Sequence, residues 1–99
     1  MTQHVDPAKV RTDLRPYVEV IDLFVSGAIG APEFETRYLA LAKADETIRD
    51  QAAYDVLQRL FGDVDEYFDD PDESPEERAR VAELLRGQAH DALAELIRF

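Results

Sequence analysis

Apolar residues recur every three or four positions along most of this chain, and this spacing constrains the fold more than any other feature of the sequence. One side of an α-helix repeats with that period, whereas a half-buried β-strand would alternate strictly, and no sustained alternation is present. The chain has 99 residues, which leaves room for one hydrophobic core and no second. The sequence therefore predicts a single all-α domain over residues 1–99.

Four amphipathic segments lie between helix start and stop signals. The predicted helices span residues 16–28, 32–43, 47–68 and 75–99. Gly27 and Gly30 end the first helix, and Ser74, Pro75 and Glu77 form a capping-box pattern at the start of the last. Four helices with short connections predict a small antiparallel four-helix bundle. Residues 1–12 have no apolar period and are predicted to be flexible.

The predicted core consists of the residues that share the apolar side of each helix. They are Tyr17, Ile21, Phe24, Val25, Phe34, Tyr38, Leu41, Ala42, Ile48, Ala52, Val56, Leu57, Leu60, Phe61, Val64, Phe68, Val81, Leu84, Leu85, Ala89, Ala92, Leu93, Leu96 and Ile97.

Several classes of function are disfavoured by composition. The chain has no cysteine, so disulfides, thiolate metal sites and a cysteine nucleophile are excluded. The longest uncharged stretch, residues 23–32, is far shorter than the roughly 20 apolar residues of a membrane span. Because the start of the sequence lacks the apolar core of a signal peptide, we expect a cytoplasmic protein. Neither a phosphate-binding glycine loop nor a nucleophile elbow is present, so we expect no enzyme and no cofactor.

Charge is concentrated in one part of the chain. The formal net charge is −11, and residues 63–77, here called the acidic segment, carry −9 of it with no lysine or arginine. Such a chain repels nucleic acid and anionic membranes, so direct binding to either is disfavoured and a basic protein partner is favoured. The acids of this segment are Asp63, Asp65, Glu66, Asp69, Asp70, Asp72, Glu73, Glu76 and Glu77.

The helical period separates these acids from the core. In a helix over residues 47–68, Asp65, Glu66 and Asp69 lie opposite the apolar side. Tyr67 is expected at the border of the two sides, with its hydroxyl beside Asp63 and Asp70, as an interface anchor would be. Like charges four residues apart oppose helix formation, so a partner that supplies cations would compensate them.

The acids have two other interpretations. A solvated, solubilising face is the ordinary explanation of an acidic run. A calcium loop of the EF-hand type is excluded because a loop that starts at Asp63 or at Asp65 has no glycine at its sixth position. Loose cation binding stays open and predicts a melting temperature that rises with calcium. We expect no metal site.

Three stretches of the sequence resemble a known family. They are Leu57-x-x-Leu60-Phe61-Gly62-Asp63-Val64-Asp65-Glu66-Tyr67 followed by Asp70-Pro71, Phe24-Val25-Ser26-Gly27-Ala28-Ile29, and Glu33-Phe34-x-x-x-Tyr38. Over about residues 20–97 the chain is similar to immunity proteins related to the colicin D immunity protein, the self-protective colicin-like immunity proteins. The acids at 72–77 depart from the pattern and are not assigned as contacts.

The resemblance implies a helical bundle that binds the catalytic domain of a nuclease toxin, which for colicin D is a tRNase, and blocks its basic substrate cleft. It implies that Asp63, Asp65, Glu66, Asp69 and Asp70 stand in for RNA phosphates, with Tyr67 as an aromatic surface. The alternative is an acidic adaptor or antitoxin that binds some other basic protein without blocking an active site; a nuclease-toxin gene directly upstream would favour immunity. The oligomeric state is left open, with a monomer as the expectation.

Overall fold

Four α-helices account for most of the residues that the computed structural model describes, which are 10–47 and 49–99. In chain order these are α1 (Arg15–Val25), α2 (Ala31–Ala44), α3 (Gln51–Glu66) and α4 (Pro75–Leu96). Each helix packs against its neighbours in sequence, and α4 returns to pack against α1. Within the described ranges there is no strand, so the predicted all-α fold, a small antiparallel four-helix bundle, is confirmed.

Aromatic side chains join the first three helices. Phe24 of α1 stacks on Phe34 of α2 with ring centroids 4.4 Å apart. Tyr38 of α2 is fully buried, and its hydroxyl donates a hydrogen bond of 2.8 Å to the carbonyl oxygen of Leu57 in α3. Because that hydroxyl is buried, it needs this partner, and the bond fixes the position of α2 along α3.

Small residues and one arginine join α4 to α1. Ala89 and Ala92 are buried, as predicted for residues that let two helices approach closely. The guanidinium of Arg86 lies 4.9 Å from the ring centroid of Phe24. Its Nε also donates 3.2 Å to the Phe24 carbonyl, near the end of α1 where carbonyls lack helical partners. Arg86 therefore helps to close the bundle at this end of α1.

The first helix ends three residues earlier than predicted, at Val25 rather than Ala28. Gly27 adopts a left-handed conformation with φ of 86°, and the N–H groups of Gly27 and Ala28 turn back to the carbonyls of Phe24 and Leu23. Gly27 ends the helix, as the sequence indicated. The turn in which the chain changes direction also includes the residue before Gly27, so the helix ends at Val25.

The third helix is shorter than predicted at both ends. It begins at Gln51 rather than Thr47, because the Asp50 carboxylate accepts from the N–H of Ala53 at 3.2 Å and caps the helix. It ends at Glu66 rather than Phe68, and Tyr67 is extended with ψ of 130°. Carboxylates are unfavourable at the negative end of a helix, and Pro71 disfavours helical geometry before it, which explains the early end.

Several residues predicted to face the core are exposed. Phe68 is 68% exposed because it follows the end of α3 and no longer obeys the helical period. Leu84 and Ile97 are 65% and 46% exposed, while Leu85 and Leu96 are buried. Ala52 is also exposed, and its neighbour Ala53 is buried in its place. Leu41, Phe61 and Val81 are partly buried against the core, and Ile48 lies outside the described residues.

The segment before α1 packs against the bundle where the structure describes it. Val10 is buried, and Arg11 pairs with Asp13 at 2.8 Å and with Asp50 at 2.7 Å. The flexibility predicted for residues 1–12 stays a prediction, and residues 1–9 of that range lie outside the described residues.

Candidate partner-binding site

The acidic segment forms one end of the bundle. It comprises the last turn of α3, the connection to α4 and the first turn of α4. Asp65 and Glu66 are exposed, as predicted, while Asp63 is half-buried. Asp69 and Asp70 lie in the connection rather than on α3, so the acids cover an end of the molecule and not one side of a helix.

Few of these acids are neutralised by the chain itself. Asp69 forms a bidentate pair with Arg78, in which both N···O distances are 2.9 Å. Glu77 pairs with Arg80 at 3.0 Å. The other seven acids of the segment make no ion pair with the described residues. Most of the negative charge predicted to meet a partner is therefore still available to one.

Local hydrogen bonds give the α3–α4 connection a defined shape. The Asp70 carboxylate accepts from the N–H of Asp72 at 2.9 Å, and the Asp70 carbonyl accepts from Glu73 at 3.2 Å. The Ser74 hydroxyl accepts from the N–H of Glu77 at 3.2 Å and caps α4, as predicted. The reciprocal bond of a capping box is not made, because the Glu77 carboxylate binds Arg80 instead.

Tyr67 is buried rather than placed at the border of core and solvent. It is only 8% exposed and belongs to the hydrophobic core. Burial raises the pKa of its hydroxyl, and the charges of Asp69 and Glu35 add to this effect while Arg78 opposes it. A role for Tyr67 in partner binding stays a prediction, but little of its ring is accessible.

Two features of this end of the bundle were not predicted from the sequence. Phe68, predicted to be in the core, projects to solvent between Tyr67 and Asp69. Glu35, in the first turns of α2, acts electrostatically on Tyr67 and so lies at the same end. The second could have been found, because an antiparallel bundle brings the start of α2 to the end of α3.

The pKa values of two acids reflect their different surroundings. Burial raises the pKa of Asp63, and the nearby charge of Glu66 raises it further, while Arg59 acts in the opposite direction. The hydrogen bonds from Arg78 lower the pKa of Asp69. The negative charge of Asp63 is therefore poorly compensated by its described neighbours, and a cation from a partner would stabilise it.

Two further observations concern the described residues only. They contain no group of three or more histidine, aspartate or glutamate side chains that could hold a metal ion. Within the described residues, no helix combines the length and the apolar character needed to cross a bilayer.

Fold and surface together define a class, a small helical bundle with one strongly acidic end. The sequence model of one family, described as bacterial self-protective colicin-like immunity, matches residues 13–96, which include all four helices and the acidic segment. The chain belongs to this family, as its resemblance predicted. It is thus an immunity protein whose partner is a toxin, in a family not known for enzymes. No significant match was found among curated proteins or solved structures.

Proposed function

We propose that this chain inhibits a nuclease toxin, of the tRNA-cleaving class, by covering its basic active-site cleft with the acidic segment. The observation that carries the proposal is the set of seven carboxylates at one end of the bundle that form no ion pair with any residue the structure describes. A nuclease cleft is lined with cations that bind phosphates, and carboxylates on a rigid support can occupy the same positions. In this proposal the chain acts in the cytoplasm, where such a toxin meets RNA.

The unpaired acids have two roles in this mechanism. Their summed potential attracts the cleft at long range, which can raise association rates to on the order of 10⁸–10⁹ M⁻¹s⁻¹ at low salt. At contact, Asp63, Asp65, Glu66 and Asp70 accept hydrogen bonds from lysine and arginine side chains of the toxin. Asp69 contributes less, because Arg78 already satisfies both of its oxygens.

The test is a charge reversal at the two exposed acids of α3, Asp65→Lys with Glu66→Lys. Both side chains lack an ion pair in the described chain, so the change removes no internal contact, whereas a change at Asp69 would break its pair with Arg78. The matched control is Glu46→Lys with Asp91→Lys, two exposed acids outside the acidic segment that alter net charge by the same amount.

The binding partner in this experiment is the purified catalytic domain of the cognate toxin, for which the gene directly upstream is the first candidate. The α3 variant should associate at least tenfold more slowly at low salt and fail to prevent RNA cleavage, with an unchanged circular dichroism spectrum. The control pair should associate and protect nearly as the unaltered chain does. Full protection by the α3 variant, or equal losses in both, would show that the acidic segment is not the interface.

A further inference from the structure

We infer that Phe68 is the apolar anchor of the toxin interface, and that it enters an apolar pocket beside the basic cleft of the toxin. This inference rests on the proposed function and deepens it. Phe68 is 68% exposed, the largest exposed fraction among the big apolar side chains of the described residues. It stands in the middle of the acidic segment, with Glu66 before it and Asp69 and Asp70 after it.

The residues on both sides hold Phe68 in this outward position. Tyr67 is buried in the core, and its N–H donates 3.1 Å to the carbonyl of Val64. Asp69 is fixed by two hydrogen bonds from Arg78 on α4. The backbone of Phe68 is thus attached to α3 on one side and to α4 on the other. A side chain presented in this way loses little conformational freedom when it binds.

The charges around Phe68 define the kind of partner. An isolated exposed phenylalanine is ordinary, but this one lies within the acidic segment, whose carboxylates a purely apolar partner surface would leave unpaired at a cost. The complementary surface is therefore an apolar pocket with lysine or arginine at its rim, which is the arrangement of an interface core within a polar border. A cleft that binds RNA offers both, because it accommodates bases as well as phosphates.

The unpaired carboxylates of the acidic segment and the Phe68 ring should have separable effects on binding kinetics. Long-range attraction by the acids sets the association rate, whereas burial of an aromatic anchor sets the dissociation rate. Truncation of Phe68 should therefore increase dissociation and leave association almost unchanged, the reverse of the pattern expected for Asp65→Lys with Glu66→Lys.

The experiment compares Phe68→Ala with Leu84→Ala, using the same catalytic domain of the cognate toxin. Leu84 is a matched control because it is 65% exposed and lies in the third turn of α4, outside the acidic segment. Phe68→Ala should weaken binding about 30-fold, almost wholly through faster dissociation, and leave the melting temperature within about 2 °C of the original. Leu84→Ala should change the dissociation constant less than about twofold.

Three outcomes contradict the inference. Binding unaffected by Phe68→Ala, while the α3 charge reversal abolishes it, would overturn the anchor and leave the proposed function intact. Equal weakening by Phe68→Ala and Leu84→Ala would mean that the apolar contact is not specific to the acidic segment. Absence of any complex between the unaltered chain and the toxin domain would refute the proposed function, and the anchor with it.

Discussion

Arg49, in the connection between α2 and α3, is a nearly buried arginine with several partners. Its side chain is only 5% exposed, and it pairs with Asp45 at 2.9 Å and with Asp13 at 3.3 Å. The guanidinium lies 5.7 Å from the ring centroid of Tyr17, whose hydroxyl donates 2.6 Å to the same Asp45. One arginine thus joins the segment before α1, α1 itself and the α2–α3 connection, at the end of the bundle opposite the acidic segment.

Loss of this arginine should destabilise the fold without affecting the interface. Arg49→Met leaves Asp13 and Asp45 without their shared cation, and removal of one partner of a buried pair costs about 3 kcal/mol. Urea unfolding at pH 7 should detect that decrease in the free energy of unfolding. The exposed pair of Arg37 and Glu33 provides the control, since Arg37→Met should cost less than about 0.5 kcal/mol. Toxin binding by the folded Arg49→Met chain should be unchanged.

The same variant should differ in its response to acid. Burial alone would raise the pKa of Asp45, but hydrogen bonds from Tyr17, Thr47 and Arg49 outweigh it and lower the pKa. A lowered pKa contributes stability above the unfolded value of about 3.9, and this is lost as pH falls through the folded value. The unaltered chain should therefore lose more stability than Arg49→Met between about pH 5 and pH 2. Parallel pH profiles would contradict this account.

Among the helices, α3 combines a stabilising start with an unfavourable end. Asp50 caps its first turn, where a carboxylate is favoured by the helix dipole. Its last turn carries Asp63, Asp65 and Glu66, where carboxylates face the negative end of that dipole. These three acids oppose the stability of the helix that holds them, which is the pattern expected when a surface is shaped by binding rather than by folding.

Removal of one of these charges should stabilise the chain. Burial and the charge of Glu66 raise the pKa of Asp63, so its ionisation above the unfolded value of about 3.9 reduces stability. Asp63→Asn should increase the free energy of unfolding at pH 7 by about 0.3–1 kcal/mol, and the gain should vanish at pH 3. Asp55→Asn, earlier in α3, should not stabilise, and a loss of stability at Asp63→Asn would contradict the argument.

The whole molecule carries a net charge of −11, and mutual repulsion among its acids opposes the compact state. Salt shortens the range of that repulsion to about 10 Å at 0.1 M. The melting temperature should therefore rise by about 4 °C between 10 and 200 mM sodium chloride. The α3 charge reversal should reduce this dependence, whereas a melting temperature that falls with salt would mean that surface ion pairs outweigh repulsion.

Much of the fold could be predicted from the sequence because it depends on periodic burial. The helical spacing within each segment predicted large core side chains that are indeed buried, among them Phe24, Phe34, Tyr38 and Leu60. The ends of the helices were harder to predict, because the end of α3 depends on a balance between propagation of the helix and repulsion among its last charges. That balance determines which of two adjacent aromatic residues, Tyr67 or Phe68, is exposed. Because the predicted helix extended two residues too far, it placed Phe68 in the core, and that prediction is wrong.

Contacts between distant parts of the chain could not be predicted. The pair of Asp69 and Arg78 bridges nine positions across a connection whose shape depends on the turn at Asp70. Nothing in the sequence distinguishes Arg49 from a surface arginine. It is buried because α1 and the α2–α3 connection pack together in the folded chain. The acidic residues can be read directly from the sequence. That seven of them form no ion pair could be established only from the structure, which gives the position of every described arginine.

Concentration of negative charge at one end also governs how the molecule turns in solution. Outside residues 63–77 the chain carries a net charge of only −2, so it has a permanent electric dipole directed along this asymmetry. The field of a positively charged partner exerts a torque on such a body and rotates it before the surfaces touch, which reduces unproductive collisions. Two copies of the chain, in contrast, meet with these ends turned apart.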